Sequence, residues 1–188
     1  SEMPLHAYCD ADLGRDKDTY ISTTGYITFI GPNPISWSSK KQQAVSQSST
    51  EAEFRAIAAT TSELLWLKNL LSELNLFPPS MPVIFCDNLS ASHYSANLIF
   101  HSWMKHLALA FHFVREQVQQ KALRVQHING SDQLADTLTK PLPKSRFLDL
   151  SSKIGLTLWP SVLREHIGCN WCIVYDQTQM SQAQLSLG

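Results

Sequence analysis

The feature that most constrains the fold is a short apolar run, Met81–Cys86, which stands between two segments of helical periodicity. A run of this kind is typical of a strand that is covered on both faces of a sheet. The first helical segment begins at Ser48, a candidate N-cap, and stops at Pro78–Pro79, and the second spans Trp103–Lys121. Because a strand–helix–strand alternation closes by a right-handed crossover, the sequence predicts parallel strands in the middle of the chain.

The N-terminal part of the chain predicts an antiparallel unit. Leu5–Cys9 is predicted as a short strand, and Thr23–Ile30 is rich in the β-branched and aromatic residues of a second one. A Gly-Pro-Asn-Pro turn at Gly31 leads into Ile35–Ser38, which alternates apolar and polar side chains. Leu123–Ile128 alternates in the same way and is predicted as the last strand. The order β-β-β-α-β-α-α-β-α favours an α/β fold with a mixed sheet flanked by helices.

Length and composition predict one domain with a buried core. The chain has 188 residues, of which 44% are hydrophobic, and no apolar run is long enough to cross a bilayer. Fifteen Lys and Arg oppose sixteen Asp and Glu, so a globally basic nucleic-acid binder is excluded but a local basic patch is not. Four cysteines are too few for a disulfide scaffold, which favours a reducing, intracellular compartment. We place the domain at residues 1–156 and expect the Ser/Gln-rich residues 157–188 to form a poorly ordered tail.

Four acidic residues stand at strand ends or helix starts. Asp10 and Asp87 end two strands that are predicted to be parallel neighbours, Glu53 lies in the first turns of the long helix, and Asp136 opens the last helix. Each alone also fits a turn, cap or helix-dipole role, but together they are predicted to converge at one edge of the sheet. Carboxylates at such short distances repel each other, which destabilises the fold. A bound Mg²⁺ or Mn²⁺ ion offsets this repulsion. Two such ions about 4 Å apart can activate a water and stabilise the leaving oxygen of a phosphodiester.

Several motifs resemble the ribonuclease H domain of copia-type retrotransposon polyproteins. They cover residues 5–156 and are Tyr8–Asp12, Ser22–Tyr26, Ile35–Gln42, Ser46–Ala56, Cys86–Asn88, Lys105–His106, His112–Glu116 and Leu134–Lys140. The resemblance implies a ribonuclease H-like fold, with a five-stranded mixed sheet of order 3-2-1-4-5. It also implies an endonuclease that uses two Mg²⁺ or Mn²⁺ ions to cleave the RNA strand of RNA–DNA hybrids. The catalytic and metal-binding residues that carry over are Asp10, Glu53, Asp87 and Asp136.

Glu53 is preferred over Glu51 because it holds the Ala-Glu-aromatic-x-Ala position of the family, and because Glu51 has capping-box spacing from Ser48. The implied partners are the hybrid and the reverse transcriptase portion of the polyprotein, with no membrane partner. We expect a cytoplasmic location, or a virus-like particle if the element is active. Short polar or basic residues near the acids are predicted to contact nucleic acid: Ser48, Ser49, Asn88, Ser90, Lys40 and Lys105.

Departures from the family pattern leave an alternative open. Leu13 stands where the family has Trp, and Ala108 and Ala110 stand where it has acids. The alternative is therefore a truncated, inactive remnant that at most binds nucleic acid or protein. An integrase or transposase is disfavoured, because those sites order their acids Asp, Asp, Glu along the chain. A further open question is whether the closely spaced residues near the C-terminus bind zinc, since no second ligand pair is visible for His166, Cys169 and Cys172.

Overall fold

The computed structural model describes residues 3–14, 20–90 and 108–156. The strands described there are β1 (Leu5–Asp12), β2 (Thr23–Ile30), β3 (Asn33–Lys41), β4 (Val83–Cys86) and β5 (Arg124–His127). The helices are α1 (Ser49–Glu73), α2 (Ala108–Gln119), α3 (Asp136–Thr139) and α4 (Lys144–Ile154), and a 3₁₀ turn spans Gly130–Asp132. No helix in these ranges is long and apolar enough to span a membrane. Some predictions fall on residues outside them: Lys105, the tail 157–188, and His166, Cys169 and Cys172 within it.

The five strands form one mixed sheet in the order β3-β2-β1-β4-β5, as predicted. β2 is antiparallel to both β1 and β3, whereas β4 is parallel to β1 and to β5. The parallel pairs are those that the apolar run and its flanking helices predicted. Several strand boundaries differ: β3 is longer at both ends than the predicted Ile35–Ser38, and β4 begins two residues after Met81. The difference that affects the acids is in β1, which continues past Cys9 to Asp12 because its pairing with β2 extends to Thr23. Asp10 therefore lies inside a strand, opposite Gly25, rather than at its end.

The start of α1 separates the two glutamates that the sequence offers. The Ser48 hydroxyl accepts the backbone N–H of Glu51 at 3.1 Å, which is the predicted cap. The Glu51 carboxylate accepts the Gln47 N–H at 2.8 Å and the Arg55 guanidinium at 2.9 Å. It thus reaches one residue further back than the capping box requires, but it still serves the helix start. Glu53 takes no part in this cap.

The sheet has a core on each face. On one face, α1 and α2 cover the alternate β1 residues Ala7 and Cys9, and the Phe54 and Phe111 rings stack with centroids 3.9 Å apart. On the other face, α3 and α4 bring apolar side chains against Ile27 and other members of the second cluster, which are Phe29, Leu134, Leu150 and Ile154. The alternation of β1 therefore directs Asp10 to the face that α3 covers.

Gly25 lets α3 approach the sheet beside Asp10. A Cβ at this position would lie 2.7 Å from Cγ2 of Thr139 and 3.0 Å from Cβ of Leu138. The hydroxyl of Ser39, on the neighbouring strand, donates to the Leu138 carbonyl at 2.7 Å and fixes the same approach. The missing side chain at residue 25 is thus a condition for the position of Asp136, which begins α3.

We expect Gly25→Ala to destabilise the protein by about 1–3 kcal/mol, because the added methyl group overpacks a contact between a strand and a helix. Urea unfolding of both proteins measures the difference. Gly130→Ala is the matched control, since its Cβ would meet only the Asp87 Oδ2 atom at 3.5 Å, an ordinary contact. Equal loss of stability in the two variants would contradict this account of Gly25.

Candidate metal centre

The structure brings the four predicted acids to one end of the sheet. Asp10 comes from β1, Asp87 follows β4, and Asp136 begins α3, and each offers a carboxylate oxygen within 4.8 Å of the others. Glu53 from α1 forms a second group of the same span with Asp87 and Cys86. Asp87 belongs to both groups, so the two are continuous.

Burial makes the negative charge of this cluster costly. Asp10 is fully buried, and Glu53 and Asp136 are each only 6% exposed. Burial first, and then the charges of Cys86, Asp10 and Asp87, raise the pKa of Glu53 to about 11. Burial and Asp10 also raise the pKa of Asp87. Without a bound metal ion, the cluster therefore keeps a proton on Glu53 at neutral pH.

Two cationic side chains of the chain itself reach the same acids. Lys140 Nζ lies 2.9 Å from Asp10 Oδ1 and 2.7 Å from Asp136 Oδ1, and Arg146 lies 3.2 Å from Asp136 Oδ2. Burial lowers the pKa of Lys140, but its hydrogen bond to Asp136 and the charge of Asp10 outweigh this and raise it above the ordinary value. The Thr139 hydroxyl also donates to Asp10 Oδ2.

Gln133 ties the elements of the site together. Its buried amide nitrogen donates to the Cys9 carbonyl at 2.9 Å and lies 3.5 Å from Asp87 Oδ1. Its amide oxygen accepts the Ala135 N–H at 3.3 Å, just before α3. His127 Nε2 lies 3.1 Å from the backbone carbonyl oxygen of the same Asp87.

Sequence reasoning assigned no role in the acid cluster to Gln133, Thr139, Lys140 or Arg146. Thr139 and Lys140 stand inside a recognised motif, so a signal existed for them. Gln133 and Arg146 stand outside the quoted motifs, and nothing in their local pattern distinguishes them from surface residues.

Cys86 is more than a small apolar residue of the core. Its Sγ lies 3.8 Å from Glu53 Oε2, and it accepts the backbone N–H of Asn88 at 3.4 Å. A hydrogen bond from Cys9 is the largest influence on the Cys86 thiol and lowers its pKa. The sulfur therefore borders the carboxylates at the inner end of the cluster.

The predicted nucleic-acid contacts divide into two kinds. The Ser48 oxygen already accepts the helix-capping hydrogen bond, and Asn88 is half-buried beside Cys86. Ser49, Ser90 and Lys40 are exposed. Their contact with nucleic acid stays a prediction, as do the catalytic roles of the four acids.

Solved structures with the same fold are ribonuclease H domains. The N-terminal ribonuclease H domain of a Mycobacterium tuberculosis protein, solved as a fusion with maltose binding protein, aligns with a TM-score of 0.53 over 80% of this chain and 98% of its own, at 10% identity. A ribonuclease H1 isolated from compost, LC11-RNase H1, aligns with a TM-score of 0.55 over 72% of this chain and 92% of its own, at 16% identity. The chain thus has a ribonuclease H-like fold.

Sequence comparison shows which proteins the chain is similar to. No family model matches the chain. It is 56% identical over 158 residues to the retrovirus-related Pol polyprotein from transposon RE1 of Arabidopsis thaliana, and 38% identical over 156 residues to that from transposon TNT 1-94 of Nicotiana tabacum. These matches cover 84% and 83% of the chain but only 11% and 12% of the relatives. Over most of its length the chain is therefore similar to a short segment of copia-type Pol polyproteins, as the motifs predicted.

The raised pKa of Glu53 predicts how the stability of the metal-free protein depends on pH. The folded state binds the Glu53 proton more tightly than the unfolded state does, so stability is greatest below the ordinary carboxyl pKa and is lost as pH rises towards about 11. Glu53→Gln removes this loss. In EDTA at pH 8, we expect the variant to be more stable than the original chain, by on the order of 2 kcal/mol.

Thermal unfolding in EDTA between pH 5 and about pH 9 measures this difference. Glu73→Gln, at the exposed end of α1, is the control and should follow the original profile. In all three proteins, stability still falls somewhat with rising pH because of Asp87, since the pKa of Asp87 is also raised. Parallel profiles for the Glu53 variant and the original chain would show that Glu53 does not carry the effect.

Proposed function

We propose that this chain is a metal-dependent endonuclease that cleaves the RNA strand of RNA–DNA hybrids and works as one segment of a longer retrotransposon Pol polyprotein. The observation that carries the proposal is the meeting of Asp10, Asp87 and Asp136 within 4.8 Å on a ribonuclease H-like fold. Buried carboxylates this close are unfavourable without a cation, and they are the ligands that hard divalent ions prefer.

The donor set fits Mg²⁺ or Mn²⁺. Asp10, Asp87 and Asp136 would hold one ion through carboxylate oxygens, and Glu53 with Asp87 would hold a second. When bound, two such ions supply an activated water and stabilise the leaving oxygen of a phosphodiester. The Gln133 amide fixes the positions of Asp87 and of the start of α3 relative to β1. The carboxylates orient the reacting groups only if these positions are kept.

Five polar or basic residues are proposed to contact the hybrid. Ser49 and Ser90 offer hydroxyls suited to the sugar 2′-hydroxyls, which distinguish RNA from DNA in the wide minor groove. Asn88 follows Asp87 directly and is proposed for the same surface. Lys40, at the exposed end of β3, and Lys105 would contact phosphates and make binding depend on salt. One similar solved structure, LC11-RNase H1, was determined with an RNA/DNA hybrid, which supports the choice of ligand.

The rest of the polyprotein is the proposed protein partner. The chain spans about a tenth of the RE1 relative, and its net charge of −1 provides little general attraction for nucleic acid. We propose that the reverse transcriptase portion increases the binding affinity for the hybrid, in the cytoplasm or in a virus-like particle. The departures at Leu13, which is 41% exposed, and at Ala110 leave an inactive remnant as the competing reading.

We expect the purified chain to cut only the RNA strand of a labelled hybrid in Mg²⁺ or Mn²⁺ and to cut nothing in EDTA. Asp10→Asn should reduce the rate at least about a hundredfold, because it removes a charged ligand from the centre of the cluster. Gel analysis of strand-specific labels gives both rates. Asp149→Asn is the control, since this carboxylate is exposed on α4 and pairs with Lys153.

Full activity of Asp10→Asn would exclude the proposed site. Absence of cleavage by a chain that circular dichroism shows to be folded would favour the inactive remnant, provided that adding a reverse transcriptase portion does not restore cutting.

A further inference from the structure

The ammonium group of Lys140 stands in the acid cluster where a cation is needed. Lys140 follows α3 directly, four residues after Asp136, and its Nζ bridges Asp10 Oδ1 at 2.9 Å and Asp136 Oδ1 at 2.7 Å. The contact with Asp10 joins two residues that are 130 positions apart in the chain. Lys140 therefore links Asp10 to Asp136 and also balances part of their negative charge.

All four oxygens of these two acids are engaged by the chain. Thr139 donates to Asp10 Oδ2, and Arg146 donates to Asp136 Oδ2 at 3.2 Å. Arg146 also donates to the Gly130 carbonyl at 2.5 Å, so it approaches from the loop rather than from between the acids. Among the hydrogen bonds described for these two carboxylates, those of Lys140 join them, through Oδ1 of each acid.

An ammonium ion and a divalent cation cannot share this position. Both would need carboxylate oxygens of Asp10 and Asp136, and a monovalent and a divalent charge at ligand distance repel strongly in a buried site. Asp10 cannot turn away without losing Thr139, and Asp136 cannot turn away without losing Arg146. The lysine can leave, because its side chain is 33% exposed and its stem is flexible, whereas Arg146 is also held by the Gly130 carbonyl.

We propose that Lys140 is an internal counter-ion which holds Asp10 and Asp136 together in the metal-free protein and which a divalent cation must displace, so that this residue sets the metal affinity of the site. This inference rests on the proposed metal-dependent function. It assigns Lys140 as a positioning residue that competes with the ion, rather than as a ligand or a phosphate contact.

The test is a calorimetric titration of the full 188-residue chain with Mn²⁺, together with thermal unfolding in EDTA. In Lys140→Met we expect Mn²⁺ to bind more tightly, on the order of tenfold, since one charge-assisted hydrogen bond is worth about that factor. We also expect a lower melting temperature in EDTA and a larger rise on adding Mn²⁺, because the two buried acids then have no bridging cation.

Lys153→Met is the matched control. Lys153 also bridges two carboxylates, Asp149 four residues earlier and Asp132 21 residues earlier, but both partners are exposed. Removing an exposed ion pair of this kind has little effect on stability, so both readouts should match the original chain. If Lys140→Met does not fold in EDTA, Lys140→Gln serves instead, because it removes the charge and keeps a hydrogen-bond donor.

The outcomes separate this inference from the function on which it rests. Tighter Mn²⁺ binding by the Lys140 variants than by the original chain supports displacement, including the case in which only the variants bind measurably. Unchanged or weaker binding by variants of a chain that does bind Mn²⁺ overturns displacement and leaves the proposed metal site intact. No binding by any of the proteins overturns both.

Discussion

The repulsion among buried carboxylates is the constraint on which the rest of this site depends. Asp10, Glu53 and Asp136 are buried, and the half-buried Asp87 lies among them, so their charge has to be neutralised by protons, by metal ions or by side chains of the protein itself. In the structure, the side chains of Lys140 and Arg146 neutralise part of this charge, and a proton on Glu53 neutralises more of it. A divalent cation would take over the same task, so charge balance links the resting structure to the proposed chemistry.

The fold meets this demand by joining distant elements at one end of the sheet. Gly25 leaves the space in which α3 reaches β1, and Ser39 fixes that approach through the Leu138 carbonyl. Gln133 then connects β1, the end of β4 and the start of α3 with a single buried amide. The second core, which includes Ile27 and Leu150, packs beneath α3 and α4. Packing on this face therefore sets the distance between Asp10 and Asp136, and with it the electrostatics of the site.

Much of the fold could be predicted because its signals are local. The apolar run that became β4 and the period of α1 gave the parallel centre of the sheet, and the Ser48 cap explained why Glu53 rather than Glu51 is left for the site. The sheet order and the assignment of the acids came from the resemblance. The position of Asp10 inside β1 was missed, because the length of a strand depends on how far its neighbour continues to pair.

By itself, the sequence determined the order of the elements, the faces that are buried and the acids available for chemistry, since each depends on side-chain type and spacing along the chain. Only the tertiary structure decided which groups neutralise those acids. Lys140 meets Asp10 across 130 residues and Gln133 meets Cys9 across 124, and no local pattern records such a contact. The physical reason is that periodicity reports which face of an element is buried, whereas the partner of a buried charge is set by how separate elements pack against each other.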